Sequence, residues 1–126
     1  IGIPLLKLSS AGIYNTYPAN DRLLAKTART LAAAAVAARI GTFVTLSTCT
    51  GTMARARELE ARYNGLCENM EGAAAAHVAL SHGVPWLEVR GISNIVRDRD
   101  LATWDIPRAA RAAQHAVAAI VEGWQS

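Results

Sequence analysis

At 126 residues, with 52% hydrophobic and 18% charged side chains, the chain is sized for one domain at most and has enough apolar content for a core. Its formal net charge of +3 comes from arginines interleaved with Glu and Asp along helical faces, so no basic block marks a nucleic-acid surface. No apolar run reaches membrane-spanning length, and residues 1–10 lack the basic start and the small-residue cleavage site of a signal peptide. A cytoplasmic protein with no membrane partner is expected.

The two cysteines, Cys49 and Cys67, fall in no CxxC or His/Cys ligand spacing, which argues for reduced thiols and against structural zinc. The chain opens on Ile1 and not on Met, and so reads as a piece of a longer protein.

In chain order, the apolar run Ile3-Pro4-Leu5-Leu6 is a strand end or an anchored loop, and residues 11–19 carry loop chemistry around Tyr14 and Tyr17. Asn20 caps a helix in which Leu24, Ala28, Leu31, Ala35 and Ala38 recur at helical spacing until Gly41. The β-branched and aromatic run 42–47 predicts a buried strand, followed by a loop over residues 48–52. A helix over 52–63 buries Met53, Ala56 and Leu59 and pairs Glu58 with Arg62 outside, and Asn64-Gly65 ends it. Residues 66–68 form a short strand and 70–82 an alanine-rich helix, closed by Gly83-Val84-Pro85. Residues 86–90 predict a third strand with Trp86, Glu88 and Arg90 on one face. After a polar loop over 91–100, Asp105 caps a last helix with Ile106, Ala109, Ala113, Val117, Ile120 and Val121 on its apolar side.

Helices and strands thus alternate, the pattern of an α/β protein with a mostly parallel sheet. Ligands of such sheets bind outside the carboxyl ends of the strands, where residues 48–51, 69–71 and 91–94 all fall. Glu71 at a helix start stabilises the macrodipole by about 0.3 to 1 kcal/mol, and an ionised carboxylate there also suits a pair of vicinal hydroxyls. Arg90 either pairs internally with Glu88 or serves a site. Asn94 alone reads as a turn residue. His77, His82 and His115 lack ligand spacing and are expected to be structural; Tyr14, Tyr17 and Trp104 have the faces to stack on a base, with packing the expected role of Trp104.

Four segments carry a family resemblance: Thr-Leu-Ser-Thr-Cys-Thr-Gly-Thr at 45–52, Glu-Asn-Met-Glu-Gly at 68–72, Gly-Val-Pro-Trp-Leu-Glu-Val-Arg-Gly-Ile-Ser-Asn at 83–94 and Arg-Asp-Leu-Ala-Thr-Trp-Asp-Ile at 99–106. Together they resemble the nucleoside phosphorylase and nucleosidase superfamily and, within it, the futalosine hydrolases. The resemblance runs from about Tyr14 onward; Met70-Glu71 with residues 90–94 is its superfamily signature, and Asn94 with Trp104-Asp105-Ile106 narrows it to the futalosine branch.

The resemblance implies a three-layer α/β/α fold of nucleoside-phosphorylase type, with residues 1–126 forming a single partial domain that lacks the opening strands. It implies a homo-oligomer in which the Tyr14–Pro18 loop reaches a neighbouring subunit's site. Met70 would pack against the ribose, Glu71 would hold its 2′ and 3′ hydroxyls, and Arg90 would position the attacking water. Asn94 would contact the purine at N7 and the six position, while Thr48, Thr50 and Gly51 would line the base. The implied reaction is hydrolysis of futalosine to hypoxanthine and dehypoxanthine futalosine, on an alternative route to menaquinone.

N-glycoside cleavage through an oxocarbenium-like state needs a stabilised leaving base, a gripped sugar and an aimed water, and no cofactor or metal. Methylthioadenosine nucleosidases carry Asp where this chain has Asn94. A neutral amide donates to O6 and accepts from protonated N7, which predicts a 6-oxopurine. The competing readings are a purine nucleoside phosphorylase and a non-catalytic nucleoside-binding remnant. The piece alone is not expected to complete a site.

Overall fold

A computed structural model of the chain describes residues 6–7, 12–98 and 100–124. Residues 3–5 of the opening apolar run, Ala11 and Arg99 lie outside the described residues. Leu6–Lys7 (β1) pairs antiparallel with Gly12–Ile13 (β2), so part of the opening segment is strand.

The first helix, α1, spans Asp21–Ala33, and the Asn20 side chain accepts from the Leu23 amide as its cap. It stops well short of Gly41, where periodicity placed its end. Ala35 turns left-handed at φ 54°. The Val36 amide then bonds back to the Leu31 carbonyl at 2.9 Å and the Ala35 amide to that of Ala32 at 3.1 Å. This paired closure ends the helix whatever the apolar spacing beyond it.

Thr42–Thr45 (β3) and Gly65–Asn69 (β4) run parallel, joined through α2 (Met53–Tyr63), with Thr45 opposite Asn69 at their carboxyl ends. Thr52 caps α2, and Asn64, left-handed at φ 50°, ends it. The expected Glu58–Arg62 pair is replaced by Arg55 and Glu58 at 2.6 Å, one turn earlier. Arg62 lies instead over the Tyr63 ring, 5.2 Å from its centroid.

Helix α3 spans Gly72–Ser81 and packs on β3, with Ala76 wholly buried. A paired closure of the same kind ends it, here with Gly83 at φ 65° in the left-handed position.

The third expected strand is absent: residues 86–90 join no ladder among the described residues. Trp86 instead ties the segment to the loop before α1: its carbonyl accepts from the Asn20 amide at 3.2 Å and its indole donates to the Pro18 carbonyl at 2.8 Å. A parallel strand is defined by its neighbour, and apolar alternation by itself supplies none.

Helix α4 covers Ile106–Glu122, capped by Asp105 with Pro107 in the first turn. Its buried line runs through Ala109 and Ala116, and the Thr30 methyl of α1 lies close against Gly123. The expected larger residues are turned out: Ile106, Val117 and Val121 are exposed. The Ala109 backbone lies close against Gly91, and α1 packs on α4. Lys26 of α1 clamps the end, donating to the Trp124 carbonyl at 3.3 Å with its ammonium 4.2 Å from the indole centroid.

The chain is thus an α/β protein. Among the described residues no large side chain is fully buried, no helix is long and apolar enough to cross a membrane, and no cluster of His, Cys, Asp or Glu could hold a metal.

Candidate active site

The carboxyl ends of β3 and β4 meet the start of α3, and two polar side chains join them. The Thr45 hydroxyl donates to Asn69 Oδ1 at 3.0 Å and accepts from the Ala73 amide at 3.0 Å. Asn69 Oδ1 also accepts from the Gly72 amide at 2.7 Å and the Glu71 amide at 3.2 Å. The unpaired amides at the start of α3 are therefore satisfied from the strands.

This arrangement has a chemical consequence for Glu71. It occupies the N-cap position, one residue before the helical turn where it was expected, and makes no side-chain cap bond. Its carboxylate is left to face outward, 72% exposed, with Arg90 Nη2 at 3.4 Å. Met70 beside it is half exposed.

Arg90 bonds through Nε to Glu88 Oε1 at 2.6 Å, so the two residues expected on one face do form an ion pair. Partial burial works against the guanidinium charge, but the bond to Glu88, its charge and the charge of Glu71 outweigh that and raise the Arg90 pKa above its ordinary value. One arginine thus links two carboxylates across the carboxyl end of β4.

The loop 48–51 is held by a residue that sequence reasoning passed over. Glu68 Oε1 accepts from the Thr50 amide at 3.0 Å and lies 3.7 Å from Cys49 Sγ. Thr50 is buried; among the described residues its hydroxyl has no partner and a side chain on Gly51 would meet nothing within 4 Å, while Thr48 is exposed. Asp98 holds the next stretch by accepting from the Met53 amide at 3.0 Å, tying the loop after Arg90 to the start of α2. Asn69 and Asp98 share one signal: each supplies an acceptor to amides at a helix start, where free N–H groups need one.

Asn94 sits in the same loop with its amide held locally. Its Oδ1 accepts from the Ser93 hydroxyl at 2.7 Å and its Nδ2 donates to the Ile95 carbonyl at a long 3.4 Å. The Ser93 carbonyl accepts from the Asp105 amide at 2.8 Å, which anchors this turn to α4. The structure therefore brings Glu71 and Arg90 into contact and sets Met70 beside them. Thr48, Thr50, Gly51 and Asn94 lie on loops pinned to the same strands and helix starts, without direct bonds to that pair.

Tyr17 is committed within its own chain: its hydroxyl lies 3.0 Å from His77 Nδ1, with the rings tilted at 59°. His77 thus has the structural role expected of it. Tyr14 is exposed.

At the carboxyl ends of the two parallel strands, beside an alanine-rich helix, the chain thus sets a carboxylate, Glu71, against an arginine, Arg90, that a following loop brings in. Residues 9–123 match the Phosphorylase superfamily, and the chain belongs to that family. It is similar to futalosine hydrolases from three organisms. The protein of Streptomyces coelicolor is 49% identical over 98 residues, covering 75% of this chain and 42% of that protein. The one from Acidothermus cellulolyticus is 45% identical over 92 residues, covering 72% and 38% respectively. The one from Thermus thermophilus is 32% identical over 117 residues, covering 93% and 50%. The chain spans half or less of the length of these curated relatives.

Proposed function

We propose that this chain carries the sugar- and base-holding part of a cytoplasmic futalosine hydrolase that releases hypoxanthine on a route to menaquinone. The observation that carries the reading is the contact of Glu71 with Arg90 at the strand ends, with the Glu71 carboxylate freed from capping. Glu71 accepts the 2′ and 3′ hydroxyls of the ribose and Met70 packs against the ring. Thr48, Thr50 and Gly51 line the base, and Asn94 Nδ2 donates to its O6.

The bond between C1′ and the purine nitrogen breaks, its electron pair leaves with the base, and a water oxygen bonds to C1′. Arg90 orients that water. A guanidinium is a permanent cation without an acceptor, so it takes no proton from the water. With Glu71 engaged by the diol, the base for that proton belongs to the remainder of the domain. The same remainder completes a three-layer α/β/α sheet beside residues 86–90, and the whole assembles as an oligomer. The chemistry needs no cofactor.

The test is release of hypoxanthine from futalosine, with and without phosphate, by this chain and by the chain extended with the rest of a relative's domain. Phosphate-independent release by the extended protein is the expected result. Release only with phosphate makes it a phosphorylase, and release by neither removes the enzymatic reading.

A further inference from the structure

We infer that Glu88 is a positioning residue that locks the Arg90 guanidinium while Glu71 exchanges Arg90 for the ribose, and that Gly72 is the notch that admits it. This rests on the nucleosidase reading above, in which Glu71 takes the sugar diol.

The two carboxylates hold Arg90 very differently. Glu88 grips Nε at 2.6 Å and its side chain is only 15% exposed, whereas Glu71 reaches Nη2 at 3.4 Å and is 72% exposed. Glu71 is thus the partner a ligand can draw away. When it turns to two hydroxyls, a guanidinium with no second partner would be free to swing. The Nε bond prevents that, because it restrains the plane of the group while Nη2 stays on the side of Glu71.

Glu88 reaches this position through a gap at the start of α3. A Cβ on Gly72 would stand 2.5 and 2.7 Å from the two Glu88 oxygens and 2.9 Å from Asn69 Oδ1, closer than such contacts allow. Gly72 is buried, and it has no left-handed φ to account for it. Space is what requires a glycine there. The seat also lies at the helix N-terminus, where a carboxylate is favoured.

The experiment uses the complete enzyme and reads kcat and KM separately for futalosine, together with the exchange rate of the Arg90 Nε proton by nitrogen-15 NMR. Glu88→Gln keeps the shape and removes the charge. It is expected to lower kcat roughly ten- to a hundredfold, as for loss of a bond to a charged group, with KM within about threefold. Gly72→Ala, which displaces Glu88 without touching its charge, should give the same split, and Glu71→Gln should raise KM. In the wild type the Arg90 Nε proton should exchange slowly, and Glu88→Ala should make it fast.

Unchanged kinetics in Glu88→Gln, or a change in KM alone, overturns the inference. If the wild type releases no hypoxanthine, the nucleosidase reading fails by itself. The proton exchange then decides the lock, and fast exchange in the wild type sinks it.

Discussion

Thr45 and Asn69, directly opposite each other at the ends of β3 and β4, do the capping that the N-cap residue of α3 does not. Their 3.0 Å bond carries the strand pair into the helix start, because Asn69 Oδ1 collects the Gly72 and Glu71 amides while the Thr45 hydroxyl takes that of Ala73. Asn69→Ala leaves those donors stranded in a region where Asn69 itself is buried. It should cost about 1 to 3 kcal/mol of stability, and Thr45→Val about 1 kcal/mol. Since both act on one network, the double variant should cost less than the sum in denaturant melts; strict additivity would show that the two bonds are independent.

The two left-handed helix ends make opposite predictions. Ala35 pays the Cβ penalty at φ 54°, so Ala35→Gly should stabilise the chain by about 0.5 to 1 kcal/mol, while Gly83→Ala at φ 65° should destabilise it by about 1 kcal/mol. Urea midpoints shifting in opposite directions at equal slope are the expected readout.

The cysteines should differ in reactivity. Burial, and then the neighbouring Glu88 charge, push the Cys67 thiol above its ordinary pKa, whereas Cys49 is exposed. Thiolate is the reactive form, so iodoacetamide at neutral pH should label Cys49 well before Cys67, as followed by mass spectrometry. The folded chain also holds the Cys67 proton more tightly than the unfolded chain does. That contribution to stability is full below the ordinary thiol range and is lost as pH rises through the raised value.

Asn94→Asp addresses the base. The Asn94 amide nitrogen has only a long local bond, while its oxygen is already held by Ser93. Replacing that donor with a carboxylate oxygen should erode discrimination for a 6-oxopurine over a 6-aminopurine by roughly ten- to a hundredfold, the cost of one mismatched buried polar group. The ratio of hypoxanthine to adenine release from the paired substrates measures it, and an unchanged ratio would remove Asn94 from base recognition.

Local chemistry in the sequence was enough for the helix starts at Asn20, Thr52 and Asp105 and for the stop at Asn64, because a cap needs only one side chain near its own backbone. The strands at 42–45 and 65–69 were legible for a similar reason, as short β-branched or apolar runs between breakers. The segment carrying Glu71 and Arg90 was recognisable as a motif before any geometry was known.

What required the tertiary structure was every feature depending on a distant partner. Residues 86–90 alternate like a strand but join no ladder among the described residues, and Trp86 bonds through its carbonyl and indole to the loop before α1. On α4, Ala109 and Ala116 are buried while Val117 and Val121 are exposed, which apolar spacing along the helix did not distinguish. The Glu71 carboxylate faces outward while Thr45 and Asn69 cap α3 from the strands, and Glu88 meets Arg90 beside the gap at Gly72. Spacing along a chain records which side chains share an element's face; which of them meet another element is set by packing between segments far apart in sequence.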